Sequence, residues 1–275
     1  MEIDLKTMHE IEIEMLEYFN NICISNNIKY SLIGGGLIGT FRHNGFVPWD
    51  DDVDIVMRRE DYDKLLLYIK QHNDNDKYEF LLPNQPKDYL YPFCKLVDKR
   101  TKMIEDNICS SEKLGVFQDI FVYDNIPNNK FLSKFYISKK KIYLKLIFHN
   151  MKKKNTAKGI KKLAIYFLKV LLLFISQEKL YVKYDKYCKK YNLKKCDRMI
   201  SNWPIYSNER EIQNKTDFEN YIFHKFENIE VMVTANYDEI LTKVFGDYMK
   251  LPPLDKQVTH HFYKVMWRNE YENKE

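Results

Sequence analysis

From Trp49 to Ile55 the chain reads Trp-Asp-Asp-Asp-Val-Asp-Ile, four carboxylates in five positions running straight into the apolar residues Val53, Ile55 and Val56. Four anions this close repel one another, and carrying one into an apolar strand adds a desolvation cost. A solvated acidic loop would meet the first difficulty but not the second, whereas a bound divalent cation meets both. Val53–Met57 reads as a strand. Side chains alternate along a strand, so Asp52 and Asp54 would share a face roughly 6–7 Å apart, able to hold one metal between them. Carboxylate oxygens are hard ligands that suit Mg²⁺ or Mn²⁺, ions that usually also hold substrate phosphates. Asp119, in the apolar run Phe117-Gln118-Asp119-Ile120-Phe121, is the natural third carboxylate, as a ligand or as a general base. Asp50 and Asp51 read as substrate-side acids, with capping of the turn as the alternative.

Upstream, Tyr30–Ile33 reads as a short strand that runs into Gly34-Gly35-Gly36, and Leu37–His43 as a short helix. Such a turn can cradle phosphate. Glycine lets the backbone approach closely, and the helix N-terminus presents unpaired N–H groups at the positive end of a dipole. A plain tight turn would use the same glycines; the adjacent acids favour the phosphate reading. The N–H groups of Gly35, Gly36 and Leu37 are the candidate contacts. Arg42 either adds a charge-assisted contact or pairs with the acid cluster, and Lys95 is a second candidate cation.

The remaining pattern predicts an α+β fold: a mixed sheet with flanking helices and a basic helical insertion. Residues 4–26 and Glu60–Gln71 have helical apolar spacing. Tyr78–Leu82, Phe93–Val97, Met103–Glu105, Val116–Val122 and Met199–Trp203 read as strands, and Phe218–Val233 as a strand or hairpin. A helix is expected over Tyr237–Phe245, with regular structure ending at Pro252-Pro253. This divides the chain into a catalytic core at 1–129, a helical insertion at 130–196 and a C-terminal part at 197–275 that completes the core.

The insertion holds 20 lysines, no arginine and only two acids, Glu178 and Asp185, so the rest of the chain is net acidic although the whole carries a formal +5. A basic segment on an acidic body points to an anionic partner, such as a membrane surface. The bland reading is a helical subdomain packed on the core with solvated lysines. Nucleic acid is not expected, because arginine is absent there and no binding motif occurs. Its apolar stretch Leu163–Ser176 has 14 residues, short of the about 20 that span a bilayer. Five cysteines without a Cys-x-x-Cys pair argue against a disulfide framework or zinc site and for a reducing compartment. The N-terminus lacks a signal-peptide pattern, which places the protein in the cytoplasm, with peripheral contact at the inner membrane face as an option.

The stretch from Ile33 to Arg59, IGGGLIGTFRHNGFVPWDDDVDIVMRR, resembles the signature of the LicD family of phosphocholine transferases, in the nucleotidyltransferase-fold superfamily and related to fukutin-type phosphoalditol transferases. The likeness continues through YPFCKLVD around Lys95, through VFQDIFVYDNIP from Val116 to Pro127, and through the segment that ends at His260-His261. The resemblance implies transfer of phosphocholine, or a related phospho-substituent, from a CDP-linked donor such as CDP-choline to a hydroxyl of a glycan or its lipid-linked precursor, with CMP leaving. It places the paired metal-binding acids on Asp52 and Asp54, the third on Asp119, the glycine turn on Gly35 and Gly36, and the arginine on Arg42. Many relatives carry a hydroxyl residue where this chain has Gly36, so backbone N–H groups must serve there. Trp49 and Phe46 offer rings to stack on a base or a choline methyl, with an ordinary core role as the alternative. Two alternatives are nucleotidyl transfer from an NTP and a non-catalytic membrane-surface scaffold.

Overall fold

The computed structural model of the chain describes residues 1–72, 75–105, 108–109, 111–151, 176–204, 209–259 and 263–269. Helix α1 spans Leu5–Ser25; the Asp4 side chain accepts from the Thr7 N–H at 2.8 Å and satisfies one donor of its first turn. Its stripe of Met8, Ile11, Met15, Leu16, Phe19, Ile22 and Cys23 is buried, as helical spacing requires. There follow β1 (Ser31–Ile33), α2 (Gly34–Arg42), β2 (Asp54–Arg58), α3 (Arg59–His72), β3 (Tyr78–Leu81), β4 (Cys94–Asp98), β5 (Thr101–Glu105) and β6 (Phe117–Ile126). The second half contains α4 (Lys130–Met151), α5 (Gln177–Cys188), β7 (Arg198–Ser201), β8 (Gln213–Asn214), β9 (Tyr221–Phe226), β10 (Ile229–Thr234), α6 (Tyr237–Phe245) and β11 (Tyr263–Trp267).

The fold is α+β. Its main sheet has the order β1-β2-β6-β4-β3, with β7 added to β6 and β8 to β7. β6 is the axis. It runs parallel to β2, antiparallel to β4 along its first half and antiparallel to β7 along its second. Eight of its ten positions are buried, so both faces are covered and the period-2 alternation of a half-exposed strand is lost. Behind the sheet, Arg59 donates two parallel hydrogen bonds to Asp124 on β6, at 2.8 and 2.7 Å, and a further ion pair at 3.1 Å to Asp185 on α5. This fork ties α3, β6 and α5 together.

Three sequence expectations need correction. The glycines do not precede α2 but form its first turn, with Gly34 at φ +62° making the entry, a conformation open to glycine. β2 starts at Asp54, so Asp52 lies in the irregular segment before the strand and the alternation argument does not apply to it. Regular structure does not end at Pro252-Pro253: β11 pairs antiparallel with β5, and Met266 bridges to Glu2. Proline stops a helix but leaves the chain beyond it free to extend, and Val265 and Trp267 are buried from the same face of β11.

The described parts of the lysine-rich segment are helical. α4 buries Tyr136, Ile147 and Met151, and also Lys140, whose ammonium donates to the Ser201 carbonyl at 2.5 Å. One lysine is thus a structural tie. Phe131, Phe135 and Ile142 instead face outward, 84%, 71% and 58% exposed. Residues 163–175 of the apolar stretch lie outside the described residues. Among the described residues no helix is long and apolar enough to cross a membrane.

Candidate active site

Strand register assembles the centre of the site. β1 sets Ile33 against Asp54, and β2 sets Ile55 against Ile120, which brings Asp54 alongside Asp119. β4 sets Lys95 against Asp119. Asp54, Asp119 and Lys95 therefore stand in a row across three adjacent strands, neighbours about 5 Å apart at Cβ. The Lys95 ammonium is hydrogen-bonded to Asp119 Oδ1 and lies 3.3 Å from the Phe117 ring centroid and 4.5 Å from that of Tyr91. At 1% exposure it is enclosed behind Asp119. The structure places Lys95 on an inner strand, where its ammonium is a buried counter-charge to Asp119.

That one cation does not balance the acids. Burial pushes the Asp54 carboxyl well above the ordinary carboxylate range, Asp52 and then Asp119 add repulsion, and Lys95 offsets part of it. Asp54 is nonetheless only half-buried by exposure, because one side opens to a cavity. Among the described residues, Asp50, Asp51 and Asp52 each bring a carboxylate oxygen within 4.8 Å of the others. This trio differs from the Asp52, Asp54 and Asp119 set that the sequence suggested. Asp51 is 3% exposed and accepts a hydrogen bond from the Tyr263 hydroxyl on β11, so it anchors the acid loop to the β5–β11 pair. Burial and then Asp51 push the Tyr263 phenol up. An all-oxygen donor set with excess negative charge fits a hard divalent cation.

The acid loop and the glycine turn touch. A Cβ on Gly35 would lie 1.6 Å from Asp50 Oδ2, so only glycine admits the Asp50 carboxylate at the N-terminus of α2. This helix end already receives an anion, as its dipole and unpaired N–H groups favour. Gly36 packs against Val53, with 3.2 Å left between a Cβ and Val53 Cγ1. Leu37 is buried at 1% exposure beside it.

Arg42 stands at the opposite end of α2, donating to the Tyr248 carbonyl at 2.7 Å and to His43 Nε2 at 2.9 Å. These contacts fasten α2 to the segment after α6, while the Asp50 charge of the acid cluster also acts on the Arg42 guanidinium. Trp49 is half-buried near Arg42, 6.0 Å from the guanidinium, and Phe46 is buried and stacked on His9 at 3.8 Å. His260 and His261 lie outside the described residues.

Glu12 was not singled out from the sequence. It is 1% exposed on the inner face of α1, and its Oε2 has no hydrogen-bond partner among the described residues. Burial and then Asp52, Asp51, Asp50 and Asp54 push its carboxyl well above the usual range. The signal was present: an acid one helical turn from Met8 and from Leu16 sits inside the apolar stripe of an amphipathic helix.

This geometry can be set beside known proteins. Residues 27–155, which include the glycine turn, the acid loop, Lys95 and Asp119, match the LicD/FKTN/FKRP nucleotidyltransferase-domain family. The chain is 31% identical over 266 residues to the lipopolysaccharide cholinephosphotransferase LicD of Haemophilus influenzae, covering 94% of this chain and 96% of that one. The chain belongs to the LicD family. An uncharacterized protein of Rickettsia prowazekii is 30% identical over 120 residues, 41% of this chain and 42% of its own. The likeness to the Haemophilus LicD protein covers 94% of this chain, so it extends well beyond the residues of the LicD-family domain.

Proposed function

We propose that this LicD-family chain transfers phosphocholine from CDP-choline, or a related phospho-substituent from another CDP-linked donor, to a hydroxyl of a cell-surface glycan or its lipid-linked precursor, with CMP leaving. The observation that carries this reading is the near end-to-end likeness to a lipopolysaccharide cholinephosphotransferase. The acid row supports it, because phosphoryl transfer rests on positioning and charge stabilisation rather than on a protein nucleophile.

Asp52 and Asp54 hold a Mg²⁺ or Mn²⁺ ion, with Asp119 facing them from β6. When bound, the ion neutralises charge on the donor pyrophosphate and on the leaving CMP. The N–H groups of Gly35, Gly36 and Leu37 receive phosphate oxygens at the N-terminus of α2. The Asp50 carboxylate lies against Gly35, so it swings aside as the donor enters. Asp119, hydrogen-bonded to Lys95 through Oδ1, serves as a metal ligand or accepts the proton of the acceptor hydroxyl. Glu12, buried beneath the acid loop, adds to the negative field that a bound cation would relieve.

Product analysis tests the reaction. CMP is expected from CDP-choline when Mg²⁺ and a cell-envelope glycan extract are supplied, with no pyrophosphate formed from CTP or ATP. Pyrophosphate release from a nucleoside triphosphate would instead make the chain a nucleotidyltransferase.

The exposed face of α4 supports a reading of where the enzyme works. Phe131, Phe135 and Ile142 project from a lysine-rich helix, a pattern that suits the cytoplasmic surface of an anionic bilayer carrying a lipid-linked acceptor. The protein is expected to sediment with anionic vesicles at low salt and to be released at high salt. Equal sedimentation with neutral vesicles would count against this placement.

A further inference from the structure

Beside Asp54 the sheet face opens into a small pocket of about 50 Å³. β6 supplies one wall: Phe121 and Tyr123 follow Asp119 at two-residue intervals, so the three share one face of the strand. The pocket thus continues the line of the acids, and it borders the glycine turn through Ile33, Gly34 and Leu37. Trp203, just beyond β7, and aliphatic side chains of α6 close it. The Trp203 ring is fixed edge-on against Phe93, centroids 5.3 Å apart, and remains half-exposed.

The chemistry of the walls is one-sided. Glu211 and Asp54 line the pocket, and among its described lining residues there is no Lys, Arg or His. Gln213 also lines it, 1% exposed, and its Oε1 has no hydrogen-bond partner among the described residues. Aromatic rings and aliphatic groups beside two carboxylates suit an organic cation with an apolar shell. A trimethylammonium group is attracted by ring faces and anions without needing hydrogen bonds. A primary ammonium lacks the methyl groups that pack on the rings and aliphatic walls, and it is more strongly hydrated.

Resting on the phosphocholine reading above, we propose that this pocket seats the trimethylammonium end of the donor, with Trp203 and Tyr123 presenting rings and Glu211 the opposing charge. The phosphate end lies at the glycine turn, one two-carbon linker away. Specificity for the transferred group is set here, not at Trp49 or Phe46.

Calorimetric titration of the 275-residue chain with CDP-choline, CDP-ethanolamine and CMP, at fixed Mg²⁺, tests the assignment. The wild type is expected to prefer CDP-choline to CDP-ethanolamine by about tenfold. Trp203→Leu and Glu211→Gln are each expected to weaken CDP-choline about tenfold while CMP binds as before. Glu211→Gln keeps shape and volume, so the test stands even if Trp203→Leu fails to fold. Variants that bind CDP-choline as the wild type does, or a wild type without preference for choline, overturn the subsite. Equal loss of CMP and CDP-choline also overturns it, by making the pocket a nucleotide site. A wild type that binds CMP but no CDP-linked alcohol, and releases no CMP from any, defeats the phosphocholine reading itself and the subsite with it.

Discussion

Replacing Asp54 by Asn is expected to lower the transferase rate by at least about 10³-fold, because a lost metal carboxylate removes several kcal/mol of charge stabilisation in the transition state. The same change is expected to raise the melting temperature of the metal-free protein. Asp54 is pressed between Asp52 and Asp119 and largely enclosed, so its charge opposes folding. Asn keeps the shape and removes the charge.

The two effects share one origin, and pH exposes it. Folded Asp54 and Glu12 both hold protons more tightly than they would in the unfolded chain. The folded state is therefore favoured at low pH. Its stability falls as pH climbs from near 4.5, the ordinary glutamate value, towards the raised values, since the unfolded chain has then released protons that the folded one retains. Thermal melts near pH 5 and near pH 8 should show this decline in metal-free wild type and a smaller one in Asp54→Asn. Mg²⁺ should restore the wild type at the higher pH and do little for the variant. A variant as active as wild type, or one whose melts respond to Mg²⁺ equally, would remove Asp54 from the metal site.

The second large effect concerns stability alone. Arg59→Met is expected to cost about 3–5 kcal/mol, because Asp124, with 0% side-chain exposure, would keep its charge and lose its partner. Melting should fall by roughly 10 °C. Asn192 also donates to Asp124, at 2.6 Å, but a neutral amide cannot replace a guanidinium fork. The double variant Arg59→Met with Asp124→Leu should recover much of the loss, since two apolar groups in a dry site need no partners. Equal melting of wild type and Arg59→Met would show that the fork carries no net stability.

Much of the framework was legible in the sequence, because the signals were local. The apolar spacing of α1 and α6, the short strands around the glycines and Asp119, and the α+β class all follow from period and composition within a dozen residues. The acid run announced a charge problem that only a fold could resolve, and the motif from Ile33 to Arg59 sufficed to suggest the family to which the comparisons assign the chain. What failed locally did so at element ends: Asp52 fell outside the strand, and the glycines fell inside the helix. In both places the side-chain pattern continues smoothly while the backbone changes state.

Tertiary structure alone decided what each charged group faces. Lys95 and Arg42 look alike in sequence as free cations, yet one is sealed behind Asp119 and the other is spent on the Tyr248 carbonyl. Glu12 lies 40 residues from Asp52 in the chain, and Tyr263 lies 212 from Asp51, separations that no periodicity encodes. Trp203 and Glu211 meet Asp54 only because β7 and β8 extend the sheet past β6. The sequence by itself thus determined which elements form and which chemistry the acids and glycines favour, since propensity and periodicity act between near neighbours. The fold determined which acids are paired, which are left in excess and where a pocket opens, since burial and Coulomb energy depend on distances that only strand pairing and packing set.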